Sequence, residues 1–461
     1  MDVDFKERTF HAFMVLSVVL FGSGSWIAIN AIWVELPVLV ALGIPEGYTL
    51  ASYLVILIQL ANAGPVAFTL ASRCVSAKKL EVPVIYASLV AAVISCLLLV
   101  FFWDVTTFWR AIGADRSTAL LILSFVLALV NCTSSVTFIP FMVRLKSNYM
   151  TLFFVGQGLS ALAPSLVALG QGVSNQDCIA NSTYTDEISG KNCTTWMPVT
   201  NQPNFAPEIF FWFLFASMVL SLVAFWCLHA LPAAKQEYAT HIPETVDDKE
   251  SAESLRKGDE HVDKQTSTFD LEEEDVVEHE KHSKGEYIVL FVILAVANAL
   301  SNSVLPSIQS YSCGAYGLYT YLLAATLGHV ANPVGCFVVM YYPMKSLSMV
   351  TLTCLFGVLA GAYCMATAAL SPVPPLQENV WGSVLVVTAW IIVGGVFAHV
   401  KAAIGWILRN EPDNHRLLTW YGIVTQLGSL VGAFIMFPLV SVFFLFVPYY
   451  SNPCEDFPVC K

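Results

Sequence analysis

Eleven runs of about twenty apolar residues, each nearly free of charge, constrain this chain more than any other feature. They cover approximately 10–34, 50–71, 82–103, 117–138, 149–171, 207–229, 286–305, 318–341, 346–369, 382–403 and 417–446. A run of that length spans a bilayer as a helix. Inside hydrocarbon only helices and closed barrels satisfy all their backbone N–H and C=O groups. The fold expected is therefore an all-α polytopic membrane protein. Composition agrees: of 461 residues 56% are apolar and only 12% charged, against roughly a quarter charged in soluble domains. The first run has no small-residue cleavage site before further apolar sequence, and it carries Asn30 and Glu35 close to its end. It is read as a retained span, not as a signal peptide.

Orientation follows from two independent features. The sequons at Asn181 and Asn192 both lie in the polar stretch 172–206 between spans five and six, so that loop is expected outside and glycosylated. Five spans before an outside loop put the N-terminus in the cytosol. With that topology 18 Lys and Arg fall inside and 4 outside, as the positive-inside rule requires.

The net charge of −12 is concentrated in one segment: between Lys235 and Glu286 there are 17 acidic and 7 basic residues. Such a segment has too little apolar surface to offset its ordering entropy, so 230–285 is expected to be a disordered cytosolic loop. Of the twelve cysteines, eight lie in or near spans and read as small apolar residues. Cys178 and Cys193 share the outside loop, and Cys454 and Cys460 share the tail 447–461. All four sit in an oxidising compartment and are disulfide candidates, with the connectivity open.

The two halves of the chain repeat. Gln59-Leu60-Ala61-Asn62 resembles His329-Val330-Ala331-Asn332, each closely followed by a proline. Val155, Gln157 and Ser160 are spaced like Val424, Gln426 and Ser429, and the stretch Asn30 to Pro37 resembles Asn298 to Pro306. All three matches have an offset of six spans. An even offset implies parallel repeats about an axis along the membrane normal. The expectation is six helices in 1–229 and five in 286–446, in a pseudo-two-fold, major-facilitator-like or equilibrative-nucleoside-transporter-like arrangement. Substrate then binds between the halves.

Ionisable groups inside spans face the interior or a water-filled cavity. Glu35 is read as facing the cavity, His329 as an intramembrane titratable group, and Lys401 as reaching for the cytosolic interface. The amides Asn30, Gln59, Asn62, Asn131, Gln157, Asn298, Asn302, Gln309, Asn332 and Gln426 are more unusual. Together with hydroxyls (Ser134, Ser135, Thr137, Ser160) and aromatics (Trp33, Phe138, Phe141, Tyr311) they suit a neutral, planar ligand that makes many hydrogen bonds. They suit an ion poorly. No catalytic or metal-binding constellation accompanies them, so neither enzyme, cofactor nor metal is expected.

Several stretches resemble the eukaryotic riboflavin transporter family, solute carrier family 52. They are Phe21-Gly22-Ser23-Gly24-Ser25-Trp26 with Trp33-Val34-Glu35-Leu36-Pro37, Cys132-Thr133-Ser134-Ser135-Val136-Thr137-Phe138 with Pro140-Phe141, and Phe153-Phe154-Val155-Gly156-Gln157-Gly158-Leu159-Ser160. The second half adds Leu305-Pro306-Ser307-Ile308-Gln309-Ser310-Tyr311-Ser312-Cys313, Ala331-Asn332-Pro333, and Gln426-Leu427-Gly428-Ser429-Leu430-Val431-Gly432-Ala433 with Met436-Phe437-Pro438. The resemblance implies a plasma-membrane carrier for riboflavin with eleven spans, a cytosolic N-terminus and an extracellular C-terminus; a monomer with no nucleic-acid partner is expected. Val373 follows Ser371-Pro372 where the family often has cysteine. That departure favours pairing of Cys454 with Cys460.

Riboflavin is uncharged, with a flat ring for stacking, an imide edge for amides and a polyol chain for hydroxyls. Asn30, Trp33, Glu35, Gln59 and Asn62 are expected to line one wall of its site, with Thr137, Phe141 and Gln157 nearby. Asn298, Asn302, Gln309, Tyr311 and Asn332 are expected to line the other. Glu35 and His329 are the candidates for protonation-dependent uptake; no sodium site is visible. The competing readings are a nucleoside carrier of the equilibrative type and, in another class, a cell-surface receptor used by viruses.

Overall fold

The computed structural model describes residues 2–110, 113–173, 176–185, 192–200, 202–238, 283–342, 344, 346–411 and 414–449. Most of the acidic loop, and the tail cysteines Cys454 and Cys460, lie outside these residues, so the expectations about them stay there. The side chains of Asn181, Asn192 and Cys193 are likewise not described.

Among the described residues ten helices are long and apolar enough to cross a membrane, and the bent pair α1 (Asp2–Ser23) and α2 (Ile27–Ala41), taken as one span, makes eleven. The protein is a multi-pass membrane protein. Span two is α3 (Leu50–Ala61) and α4 (Ala63–Cys74); spans three and four are α5 (Ala77–Phe102) and α6 (Thr118–Val143). Spans five and six are α7 (Ser147–Gln171) and α8 (Pro207–Ala230), after which α9 (Pro232–Lys235) is a single turn. The second half holds α10 (Lys284–Ala299), a π-turn at Leu300–Val304, α11 (Leu305–Gly314), α12 (Leu318–Tyr341), α13 (Leu347–Ala369), α14 (Val380–Arg409) and α15 (Asn414–Ser441).

Local chemistry sets the ends. At α10, Ser283 Oγ accepts from the Glu286 N–H while the Glu286 carboxylate accepts from the Ser283 N–H at 2.6 Å, a capping box. Ser346 and Asn379 cap α13 and α14 through side-chain oxygens. Pro207 opens α8, where its missing N–H costs nothing.

Three spans are interrupted in ways that a hydropathy run does not disclose. The first bends by 56° between Ser23 and Ile27. There Ser23 and Ser25 turn their hydroxyls onto the carbonyls of Leu20 and Gly22. The second breaks at Asn62, where Pro65 lacks the N–H that would bond the Ala61 carbonyl. The third widens into the π-turn four residues before Pro306 takes the N–H away from Asn302. The seventh span consequently extends to Gly314, nine residues beyond the expected 305, and the last ends at Ser441 rather than 446.

Two short hairpins stand beside the helices: β1 (Thr107–Trp109) with β2 (Ala114–Arg116), and β3 (Gln176–Thr185) with β4 (Asn192–Thr200), both antiparallel. The second hairpin occupies the sequon-bearing loop, with Asn181 at a register shift and Asn192 at the start of β4. Cys178 on β3 is disulfide-bonded.

Within the first half, α1 packs on α7 and α8, and α5 on α6 and α8; within the second, α14 packs on α12 and α13, and α10 on α15. Helix pairs approach through glycine. A Cβ on Gly156 would overlap the Val19 carbonyl, and one on Gly428 the Ala295 carbonyl. These are corresponding contacts, span five on span one and span eleven on span seven. Small residues let such backbones touch where lipid offers no hydrophobic drive. Between the halves, α3 meets α11 and α15, and α12 meets α2 and α7.

Candidate functional site

Between the halves lies a cavity of about 670 Å³, within the range of small-molecule sites. Its first-half wall comes from the α1–α2 bend (Trp26), α2 (Asn30, Trp33), the end of α3 (Gln59, Asn62), and α7 (Phe154, Gln157, Ser160). The second-half wall comes from the π-turn (Ser301, Asn302), α11 (Gln309), α12 (His329, Asn332, Phe337), α14 (Trp390) and α15 (Thr425, Gln426, Ser429). Each interrupted span contributes at its interruption. A regular helix would bond its backbone groups internally; the breaks free some of them beside the cavity.

Many of the residues expected at the site come together here: Asn30, Trp33, Gln59, Asn62, Gln157, Asn302, Gln309, His329 and Asn332 all line the cavity. The two halves use the same device. Asn30 Nδ2 donates to Ser160 Oγ at 3.1 Å, and Asn302 Nδ2 donates to Ser429 Oγ at 3.1 Å. Trp33 and His329 face each other across the halves with ring centroids 6.4 Å apart.

Five expected residues are elsewhere. Thr137 is fully buried and donates to the Thr133 carbonyl at 3.0 Å. Phe141 is fully buried in an aromatic cluster with Phe21 and Phe225, at centroid distances of 5.9 and 5.0 Å. Asn298 sits one turn behind the wall and donates to the Leu294 carbonyl at 2.8 Å. Tyr311 packs between Tyr48 and Phe446. Glu35 does not reach the cavity: it is fully buried, and one carboxylate oxygen accepts from Gln171 Nε2 at 2.9 Å. Periodicity does not distinguish a buried polar residue that faces a cavity from one that faces a neighbouring helix. Lys401 also departs from expectation. It turns into the bundle, donating to Ser301 Oγ at 3.0 Å and Asn302 Oδ1 at 3.3 Å, because the π-turn offers those acceptors within reach.

Trp26, Ser301, Phe337, Trp390 and Thr425 were not anticipated. Gln426 and Ser429 had a signal, since they are the repeat counterparts of Gln157 and Ser160. Trp390 had none: it is a tryptophan among apolar residues, held by its indole N–H on Ser312 Oγ at 3.2 Å.

The cavity is closed at one end and open at the other. At the closed end Ser310 Oγ donates to the Tyr48 carbonyl at 2.6 Å, and Ser52 and Ser441 share a hydrogen bond. The rings of Tyr53 and Phe437 meet edge to face there at 5.2 Å. At the other end α4 packs on α5 and α6 in its own half and buries none of its residues. Phe154, Asn332, Phe337 and Gln426 of the lining are exposed there.

The family model described as "Solute carrier family 52, riboflavin transporter" matches residues 10–448. The chain belongs to solute carrier family 52. Member 3-A of this riboflavin transporter family from Danio rerio is 41% identical over 92% of this chain and 95% of its own length. The Homo sapiens member 3 is 38% identical, covering 94% and 97%, and the Homo sapiens member 2 is 37% identical, covering 96% of each. This is a family of carriers, not of enzymes. Among solved structures, a mutant form of the nucleoside transporter NupG superposes with TM-score 0.52 at 11% identity, covering 94% of this chain and 91% of that one. A bacterial homologue of the lysosomal transporter Spinster, inward-facing and occupied, does so with 0.52 at 10%, covering 93% and 80%. The fold of this solute carrier family 52 member is thus the pseudo-symmetric, major-facilitator-like one.

Proposed function

We propose that this chain carries riboflavin into cells across the plasma membrane by alternating access of the central cavity. One observation carries the reading: a cavity of about 670 Å³ whose polar lining is amide and hydroxyl and whose flat faces are indole, phenyl and imidazole. No carboxylate of the described residues lines it, which fits an uncharged cargo and sodium-independent flux. The isoalloxazine ring stacks against the aromatic faces, and the imide edge and ribityl hydroxyls exchange hydrogen bonds with water for bonds to Gln59, Gln309 and Asn332.

The sequons and the Lys and Arg distribution support an N-terminus in the cytosol and a tail outside, an orientation in which the open end faces the cytosol. Cargo leaves by that route after the outer end has closed. The outer hairpin carries glycans on Asn181 and Asn192, the tail cysteines Cys454 and Cys460 pair with each other, and the carrier works as a monomer. Uptake is pH-sensitive through His329 at the cavity and Glu35 behind it; uptake measured against pH in His329→Gln and Glu35→Gln assigns the response.

The test is uptake of labelled riboflavin by cells expressing the chain, with unlabelled flavins and nucleosides as competitors. Uptake that flavins suppress and nucleosides leave intact is the expected result. A surface-expressed wild type with no uptake above background would sink the substrate. Competition by nucleosides alone would replace it.

A further inference from the structure

Lys401 is a cation inside the bundle with no carboxylate of the described residues beside it. Among the described residues its ammonium makes no ion pair, whereas Arg144 pairs with Glu81 and Lys146 with Glu237. Glu35 is held by Gln171 and contributes nothing to the lining. The ammonium instead donates to Ser301 Oγ and Asn302 Oδ1, two atoms of the cavity wall.

An ammonium has three donors and no acceptor. The Asn302 amide must therefore turn its oxygen toward Lys401, where that oxygen also accepts from Ser301 Oγ at 3.1 Å. Its nitrogen is thereby aimed the other way, onto Asn298 Oδ1 at 3.0 Å and Ser429 Oγ at 3.1 Å. Asn298 passes the direction on through its own nitrogen to the Leu294 carbonyl. The result is a directional chain from Lys401 through the π-turn into α10. Both donors and both acceptor positions of Asn302 are occupied. In this conformation it is a frame for the wall and has nothing left for cargo.

We propose that Lys401 is the positioning and charge-selecting residue of the cavity, orienting Asn302 and biasing the site toward electron-rich and anionic flavins and against cationic ones. The neighbouring groups do not cancel the bias. Cys336 on α12 lines the same wall, His399 on α14 is bonded to the Gly335 carbonyl, and His329 is the other titratable ring at the cavity. None of them supplies a negative charge to offset an ammonium. One uncompensated charge in a partly dry site shifts the affinities of oppositely charged ligands apart by tenfold or more, about the size expected here.

The inference rests on the reading that the cavity binds flavins, and its test is separate from transport. Purified full-length protein is titrated with riboflavin, riboflavin 5′-phosphate and a flavin bearing an amine on its side chain, each followed by quenching of flavin fluorescence. In the wild type the phosphate is expected to bind more tightly than the amine. Lys401→Met should shrink that ratio about tenfold, and Lys401→Arg should retain it. Asn302→Asp is the second variant; it leaves the lysine in place but neutralises its field, and should shrink the ratio too. A role in folding alone would lower protein yield and leave the ratio untouched. If the ratio is the same in wild type, Lys401→Met and Asn302→Asp, the inference is overturned while riboflavin binding stands. If none of the three flavins quenches on the wild type, the substrate reading itself has failed.

Discussion

At the scale of single residues, the cavity separates side chains that touch cargo from those that only hold the wall. Gln309 is nearly buried and faces the cavity. Gln309→Ala should raise the KM for riboflavin about tenfold, the cost of roughly one lost hydrogen bond to a desolvated ligand, with normal surface abundance by biotinylation. Phe141 makes the opposite case. It lies in the Phe21–Phe225 cluster, and its removal leaves a void worth about 3 kcal/mol. Phe141→Ala should lower the melting temperature in detergent and leave the KM of the surviving protein unchanged. The sequence showed which amides are unusual, because polar groups inside spans are rare. It did not show which face each occupies: Asn298 and Asn302 are one turn apart, yet only Asn302 reaches the wall. The π-turn, which begins after Asn298 and contains Asn302, decides that.

At the scale of elements, span positions were legible because twenty apolar residues have few other uses, and the six-span offset was legible because repeats retain spacing. The interruptions were not. Gly24, Ser25 and Trp26 sit inside a continuous hydrophobic run, and the 56° bend lies where that corner packs against α8, with a Cβ on Gly24 overlapping Ser221. The hairpins were missed for another reason: a polar loop carries little strand patterning, and β3 and β4 stabilise one another through pairing. Two glycines of one motif give a test. Gly156→Ala collides with the Val19 carbonyl and should break the α1–α7 contact, with clear loss of folded protein on size-exclusion chromatography. Gly158→Ala would meet Phe337 and Pro333 at 3.7 Å, ordinary contact, and should fold normally.

For the whole molecule, the relation between the halves sets the conformation seen. Tyr48 wedges against α11 at the closed end, and a Cβ on Gly314 would push into its ring. Gly314→Ala should weaken that closure by about 1 kcal/mol and so lower the population open at the opposite end roughly fivefold. Labelling of Cys336 from that end reports the change. Among the described free cysteines only Cys74 and Cys336 are exposed, so a Cys74→Ser background isolates the signal. Labelling unchanged by Gly314→Ala would show that Tyr48 does not hold the closed end.

The sequence by itself determined that the chain crosses a membrane about eleven times, that its halves are related, and that polar amides gather on particular spans. Those properties follow from local hydropathy and spacing, which bilayer physics reads directly. The tertiary structure alone decided where each helix breaks and which amides face the cavity. It also decided that Glu35 is sealed behind Gln171 and that Lys401 turns to the π-turn. Those outcomes depend on which helices touch, a property shared among distant segments that no local window of sequence contains.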